Sequence, residues 1–150
     1  MYDELGHLPH FNPDSEAQAP AVVRHWQALL RGCDTIVIAC LEYAHGIPGA
    51  FKNALDWVVG TAGLEGKPVA LRNTAAHARH AQEQLAEVIT TMGWRIIDEA
   101  SKTIPVARKD VVVNASFPGP EAAELLWQAL ATLVLAAGVH GGKTTLVNKG

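Results

Sequence analysis

The run Thr35-Ile36-Val37-Ile38-Ala39 and the residues after it constrain this chain more than any other segment. The run carries no charge and is β-branched at its start, the pattern of a parallel strand covered on both faces. It is followed by Leu41-Glu42-Tyr43-Ala44-His45-Gly46-Ile47-Pro48 and then by an amphipathic stretch through Trp57. A buried strand, a tight glycine-bearing turn and a proline-started helix form the geometry in which doubly wound α/β proteins hold ligands. Pro48 suits the first helical turn. Phe51, Leu55 and Val58 form the expected inward stripe of a helix reaching about Val59, with Gly60 and Gly63 closing it.

Strand and helix alternate along the rest of the chain. Val22, Val23, Trp26, Leu29 and Leu30 recur at helical spacing between Pro20 and Arg31, and Gly32 stands where a left-handed C-cap belongs. Strands are expected near 68–73 and 94–98. A helix from about Ala76 to Met92 lies between them, with Leu85, Ile89 and Met92 inward and Gly93 as its stop. After Phe117-Pro118-Gly119-Pro120 a long helix is expected over 121–137, with Leu126, Leu130, Leu133 and Ala137 in one row. Such alternation predicts a three-layer α/β/α fold around a parallel sheet, formed by residues 1–150 as a single domain. Residues 1–20, with prolines and turn formers, read as irregular.

Composition narrows the function classes. Apolar residues make up 49% and charged residues 18% of 150, which excludes a disordered polyelectrolyte. A formal net charge of −3 points to neither nucleic acid nor an anionic membrane as partner. No apolar run approaches the roughly 20 residues of a membrane span, and Met1-Tyr2-Asp3-Glu4 lacks a signal region. Cys33 and Cys40 flank one extended segment, so their Cα atoms are expected well beyond the roughly 7 Å limit for a disulfide. Two thiols fit a reducing, cytoplasmic setting.

The stretch 41–57 resembles the flavin loop of the NADPH-dependent FMN reductase family, Pro-Glu-Tyr-Asn-x-x-x-Pro-Gly-x-Leu-Lys-Asn-Ala-x-Asp-Trp. Leu41 stands where the family has proline. The resemblance implies a flavodoxin-like fold and an oxidoreductase in which NAD(P)H reduces FMN, which then reduces a quinone, an azo compound or a metal oxyanion. It assigns flavin ring-edge contacts to the backbone of Glu42, Tyr43, Ala44 and His45, with Gly46 allowing close approach and Tyr43 flanking the ring. A second loop, Asn73, Thr74, Ala75 and His77, stands where family members often show Asn-Ala-Ser-Pro-Arg-Ala. The serine hydroxyl and arginine cation are missing there. No catalytic acid or base and no metal is expected. A homodimer or homotetramer is implied, with Trp57 as either a dimer anchor or a core residue.

By its downstream motif, the 35–40 strand corresponds to the third strand of that family. The family's first strand, its Gly-Ser-x-Arg-type phosphate loop and its first helix have no counterpart here, a deficit of roughly 30 residues. The domain is therefore expected to be incomplete at its N-terminus, leaving one edge of the 35–40 strand unpaired. Three explanations follow in order: a gene start drawn late, a decayed paralogue, or a partner covering the edge. The competing functional reading is a non-catalytic remnant or interaction subunit unable to retain FMN. Among other candidates, His77 and His80 are solvated helix residues rather than a metal pair. Lys52 and Asp56 form a surface pair. Gly141-Gly142-Lys143-Thr144 lacks the first glycine of a phosphate loop and reads as a tail.

Overall fold

The computed structural model describes residues 2–73, 79–101, 120–138 and 144–149. Helix α1 (Ala21–Gly32) leads into strand β1 (Thr35–Cys40), followed by α2 (Gly49–Asp56), β2 (Pro68–Arg72), α3 (Arg79–Thr91), β3 (Arg95–Ile96), α4 (Pro120–Ala136) and β4 (Thr144–Lys149). The four strands form one sheet in the order β3-β2-β1-β4. All its pairings are parallel. Among the described residues no helix is long and apolar enough to cross a membrane.

Period-two alternation along the strands divides the core. Ile36 and Ile38 of β1 and Val69 and Leu71 of β2 join Trp26 and Leu30 of α1, Phe51 and Leu55 of α2, and Leu85 and Ile89 of α3. Val37 and Ala70 point the other way, onto Leu133 of α4 with Ile97 and Ala100. Helices thus cover both faces, and the expected inward residues Phe51, Leu55, Val58, Leu85, Ile89 and Leu133 are buried. Cys33 and Cys40 are free thiols, and burial pushes Cys40 up to about 11.

Several sequence expectations are corrected. The second edge of β1 is paired: β4 runs along it from Thr35↔Thr144 to Cys40↔Lys149. Thr144 therefore opens a strand rather than belonging to a tail. Its backbone pairs with Thr35 of β1. The strand expected near 94–98 is only Arg95–Ile96. A 3-10 turn at Asp98–Ala100 ends it, held when Arg72 Nη1 donates to the Ala100 carbonyl at 2.9 Å. Gly32 is the last helical residue, not a left-handed cap, and an extended Cys33 follows it. Pro48 caps α2 from outside rather than sitting in its first turn, and that helix ends at Asp56. Gly93 does adopt the left-handed conformation expected of a helix stop, with φ 74°. The expected helix start near Ala76 lies outside the described residues.

The N-terminal segment is packed rather than irregular. It forms 3-10 turns at Leu5–His7 and Pro13–Gln18, and Tyr2, Leu5 and Leu8 are buried in the main core. Asn53 of α2 clamps it: Oδ1 accepts from the Phe11 amide at 2.7 Å and Nδ2 donates to the Pro9 carbonyl at 3.0 Å. Trp57 completes the clamp, donating to the same carbonyl at 2.8 Å and meeting the Phe11 ring edge-on. It is 2% exposed, so the core reading holds and the dimer-anchor reading does not.

Candidate functional site

Parallel pairing places the carboxyl ends of the strands at one edge of the sheet. Ala39 pairs with Arg72 and Cys40 with Lys149, so the chain leaves β1 beside Asn73 and beside the end of β4. Asn73 is buried at this edge, whereas Thr74, Ala75 and His77 lie outside the described residues. Ser101 ties the neighbouring segment down, accepting from the Leu71 amide and donating to the Ile97 carbonyl.

Beyond β1, Tyr43–Gly46 form a tight turn closed by two reciprocal backbone bonds. The Tyr43 amide donates to Gly46 at 3.1 Å and the Gly46 amide donates to Tyr43 at 2.9 Å. Ala44 has φ 49° and His45 φ 60°, the two left-handed central residues of a type I′ turn. Gly46 itself is not in that region, and a Cβ there would meet Gln84 Oε1 at 3.5 Å and the Tyr43 carbonyl at 3.7 Å. The strain falls instead on Ala44, at the position where the family motif carries asparagine, a residue that tolerates this conformation. Replacing Ala44 with asparagine is expected to stabilise the fold by about 0.5–1 kcal/mol, part of the roughly 1–2 kcal/mol cost of a left-handed residue. Urea denaturation reads the change, and a lower midpoint would contradict the turn geometry.

The turn determines which donors are available. The Tyr43 amide is committed to Gly46, so it is not an available ring-edge donor. The amides of Ala44 and His45 have no acceptor among the described residues, and both residues are exposed. The Tyr43 side chain is 62% exposed beside them. Behind the turn, a groove of about 430 Å³ is lined by Gly46, Ile47, Lys52, Gln84, Glu87 and Val88. Lys52 is ion-paired with Asp56.

Side chains that sequence reasoning passed over join this turn to α3. The Glu42 carboxylate accepts from the Ala81 amide at 3.0 Å. Gln84 Nε2 donates to the His45 carbonyl at 3.2 Å. The His45 and His80 rings stack with centroids 4.4 Å apart and planes 13° from parallel. Their spacing on α3, His80 and Gln84 four apart, puts both on one helix face, the one available sequence signal. Among the described residues no three His, Cys, Asp or Glu side chains converge as a metal site.

The Ala81 amide, followed by nearby His80 and His45, holds the Glu42 carboxyl below its ordinary value of 4.5, with desolvation opposing. A carboxyl lowered by folding stabilises the contact above its unfolded value and loses it as pH falls through the folded value. The resonance of the Glu42 side-chain carboxyl carbon should therefore take its main step below the ordinary carboxylate value. A main step at or above that value would contradict this assignment.

A parallel α/β/α sandwich of this kind has a flavodoxin-like fold, and the carboxyl edge of its sheet is where such folds generally hold ligands. The NADPH-dependent FMN reductase family model matches residues 2–108. The chain belongs to this family. It is 33% identical over 78 residues to a 2-hydroxy-1,4-benzoquinone reductase from a Burkholderia species, covering 50% of this chain and 43% of the relative. An NAD(P)H-dependent FMN reductase of Saccharomyces cerevisiae is 28% identical over 135 residues, covering 87% and 69%. In structure the chain is similar to a flavoenzyme NAD(P)H:(acceptor) oxidoreductase of Paracoccus denitrificans, with a TM-score of 0.73 and 25% identity, covering 92% of this chain and 79% of that one. The chain spans about half the length of most of the curated relatives it matches.

Proposed function

We propose that this chain is an FMN-dependent NAD(P)H oxidoreductase whose turn 42–46 receives the pyrimidine edge of the flavin. The observation that carries the reading is the pair of exposed amides at Ala44 and His45, fixed in a strained turn and lacking acceptors among the described residues. Preorganised donors of this kind stabilise negative charge where it develops. Bound FMN supplies the redox chemistry, taking a hydride from NAD(P)H and passing electrons to an acceptor. The protein's own contribution is to orient the ring edge with these amides, to flank it with Tyr43, and to back it with Asn73 from the neighbouring strand.

A quinone is the acceptor that the named relatives support best; azo compounds and metal oxyanions belong to the same expectation. Self-association as a homodimer or homotetramer finds support in Trp127 and Leu135, which stand 70% and 76% exposed on α4. A cytoplasmic location agrees with the two free thiols. Titrating the purified chain into FMN should quench flavin fluorescence saturably. Adding NADH or NADPH with a benzoquinone should then give FMN-dependent oxidation of the nicotinamide. Absence of saturable quenching would refute the proposal for this chain.

A further inference from the structure

We infer that Glu42 is a positioning residue that fastens the flavin-facing turn to the first turn of α3, an inference that rests on the reading of that turn as the flavin site. A type I′ turn with alanine and histidine at its left-handed positions is not held by its own residues' preferences. Its two closing bonds, between Tyr43 and Gly46, lie within the turn and fix its shape without fixing its place. Its place is set by three contacts, and all reach one short stretch of α3. Glu42 takes the Ala81 amide, Gln84 takes the His45 carbonyl, and His80 stacks on His45.

Of the three, the Glu42 contact is the charged one. A carboxylate beside the first turn of a helix can accept from a backbone amide there and complements the positive end of the helix dipole. Charge-assisted bonds of this kind are stronger than neutral ones such as that of Gln84. Glu42 also lies between the end of β1 at Cys40 and the turn tip at Ala44, so its anchor sets where the tip begins. The same carboxylate thus caps a helix and aims the Ala44 and His45 amides. Loss of the anchor leaves the turn without a fixed seat, so its two closing bonds open more often and its tip no longer stands in one place beside the strand ends.

The test compares Glu42→Ala with Glu42→Gln, whose side-chain oxygen still accepts from the Ala81 amide. Amide hydrogen exchange is measured across residues 42–46 and 79–84 without flavin, and FMN affinity is measured by fluorescence quenching. Glu42→Ala is expected to speed exchange of the Tyr43, Gly46 and Ala81 amides and to raise the FMN Kd by about tenfold, the scale of one charge-assisted hydrogen bond. Glu42→Gln is expected to restore both to within about threefold, as its neutral hydrogen bond is weaker than the charged one. Faster exchange confined to Ala81 overturns the inference, since Glu42 is then a helix cap only. Unchanged exchange in Glu42→Ala also overturns it. If the unaltered chain binds no FMN, the flavin reading fails by itself, and exchange across 43–46 still decides whether Glu42 fastens the turn. Should Glu42→Ala fail to fold, Glu42→Asp, which keeps the charge and shortens the reach to the Ala81 amide, is judged by the same exchange criterion.

Discussion

Replacing Trp26 with alanine is expected to lower stability by about 3–5 kcal/mol, the range for truncating a buried aromatic residue. Trp26 is 1% exposed and joins three layers of contacts. Its ring lies 4.7 Å from that of Tyr2, and its indole donates to the Ala54 carbonyl of α2 at 3.0 Å. Truncation opens a cavity among α1, β1 and α2 and frees the N-terminal segment from its aromatic neighbour. Against a typical total of about 5–15 kcal/mol this leaves little of the fold. Trp26→Phe keeps most of the packing and loses the indole N–H, so its effect should be near 1–2 kcal/mol. Chemical denaturation separates the two variants. A Trp26→Ala change below about 1 kcal/mol would contradict its place at the centre of the core.

Removal of residues 144–150 is expected to have a comparable effect. β4 pairs with β1 from Thr35 to Cys40, so its loss strips one whole side of a central strand. At about 0.5–1.5 kcal/mol for each backbone hydrogen bond lost, several together come to about 3–6 kcal/mol. The exposed edge of β1 would also offer unpaired groups to other chains. The expected results are a large fall in Tm and concentration-dependent aggregation. A shortened chain with unchanged Tm and no added aggregation would show that β4 contributes nothing to the sheet.

How far the sequence foretells these features depends on where the physics is local. The burial of β1, β2, α2 and α3 follows from runs and periodicities within each segment, and those elements appear where the residues Ile36, Val69, Phe51 and Leu85 imply them. β4 was not legible because its pairing is long-range: Thr144-Thr145-Leu146-Val147 has β-branched residues, yet nothing local says which strand it joins. The packing of the N-terminal segment is hidden for the same reason, since Tyr2 meets Trp26 and the Pro9 carbonyl meets Asn53 and Trp57, all distant in sequence. β3 ends early where the 3-10 turn Asp98–Ala100 begins, and the contact from Arg72 at the end of β2 to Ala100 in that turn is again long-range.

The site shows the same division. The motif at 41–57 identifies the turn but not its backbone geometry: the left-handed residues are Ala44 and His45, where neither residue type announces that conformation. Glu42, assigned a backbone contact by the resemblance, has a side chain engaged with α3. That engagement depends on where α3 begins in space, which spacing along the chain does not encode.

The central claim is that the amides of Ala44 and His45 meet the flavin. Amide 1H–15N spectra of the chain recorded during titration with FMN test it most directly. The predicted result is saturable movement of the Ala44 and His45 resonances, with smaller changes at Asn73 and none at Arg95 and Ile96 on the far strand. Saturable binding that leaves Ala44 and His45 unmoved would contradict the claim.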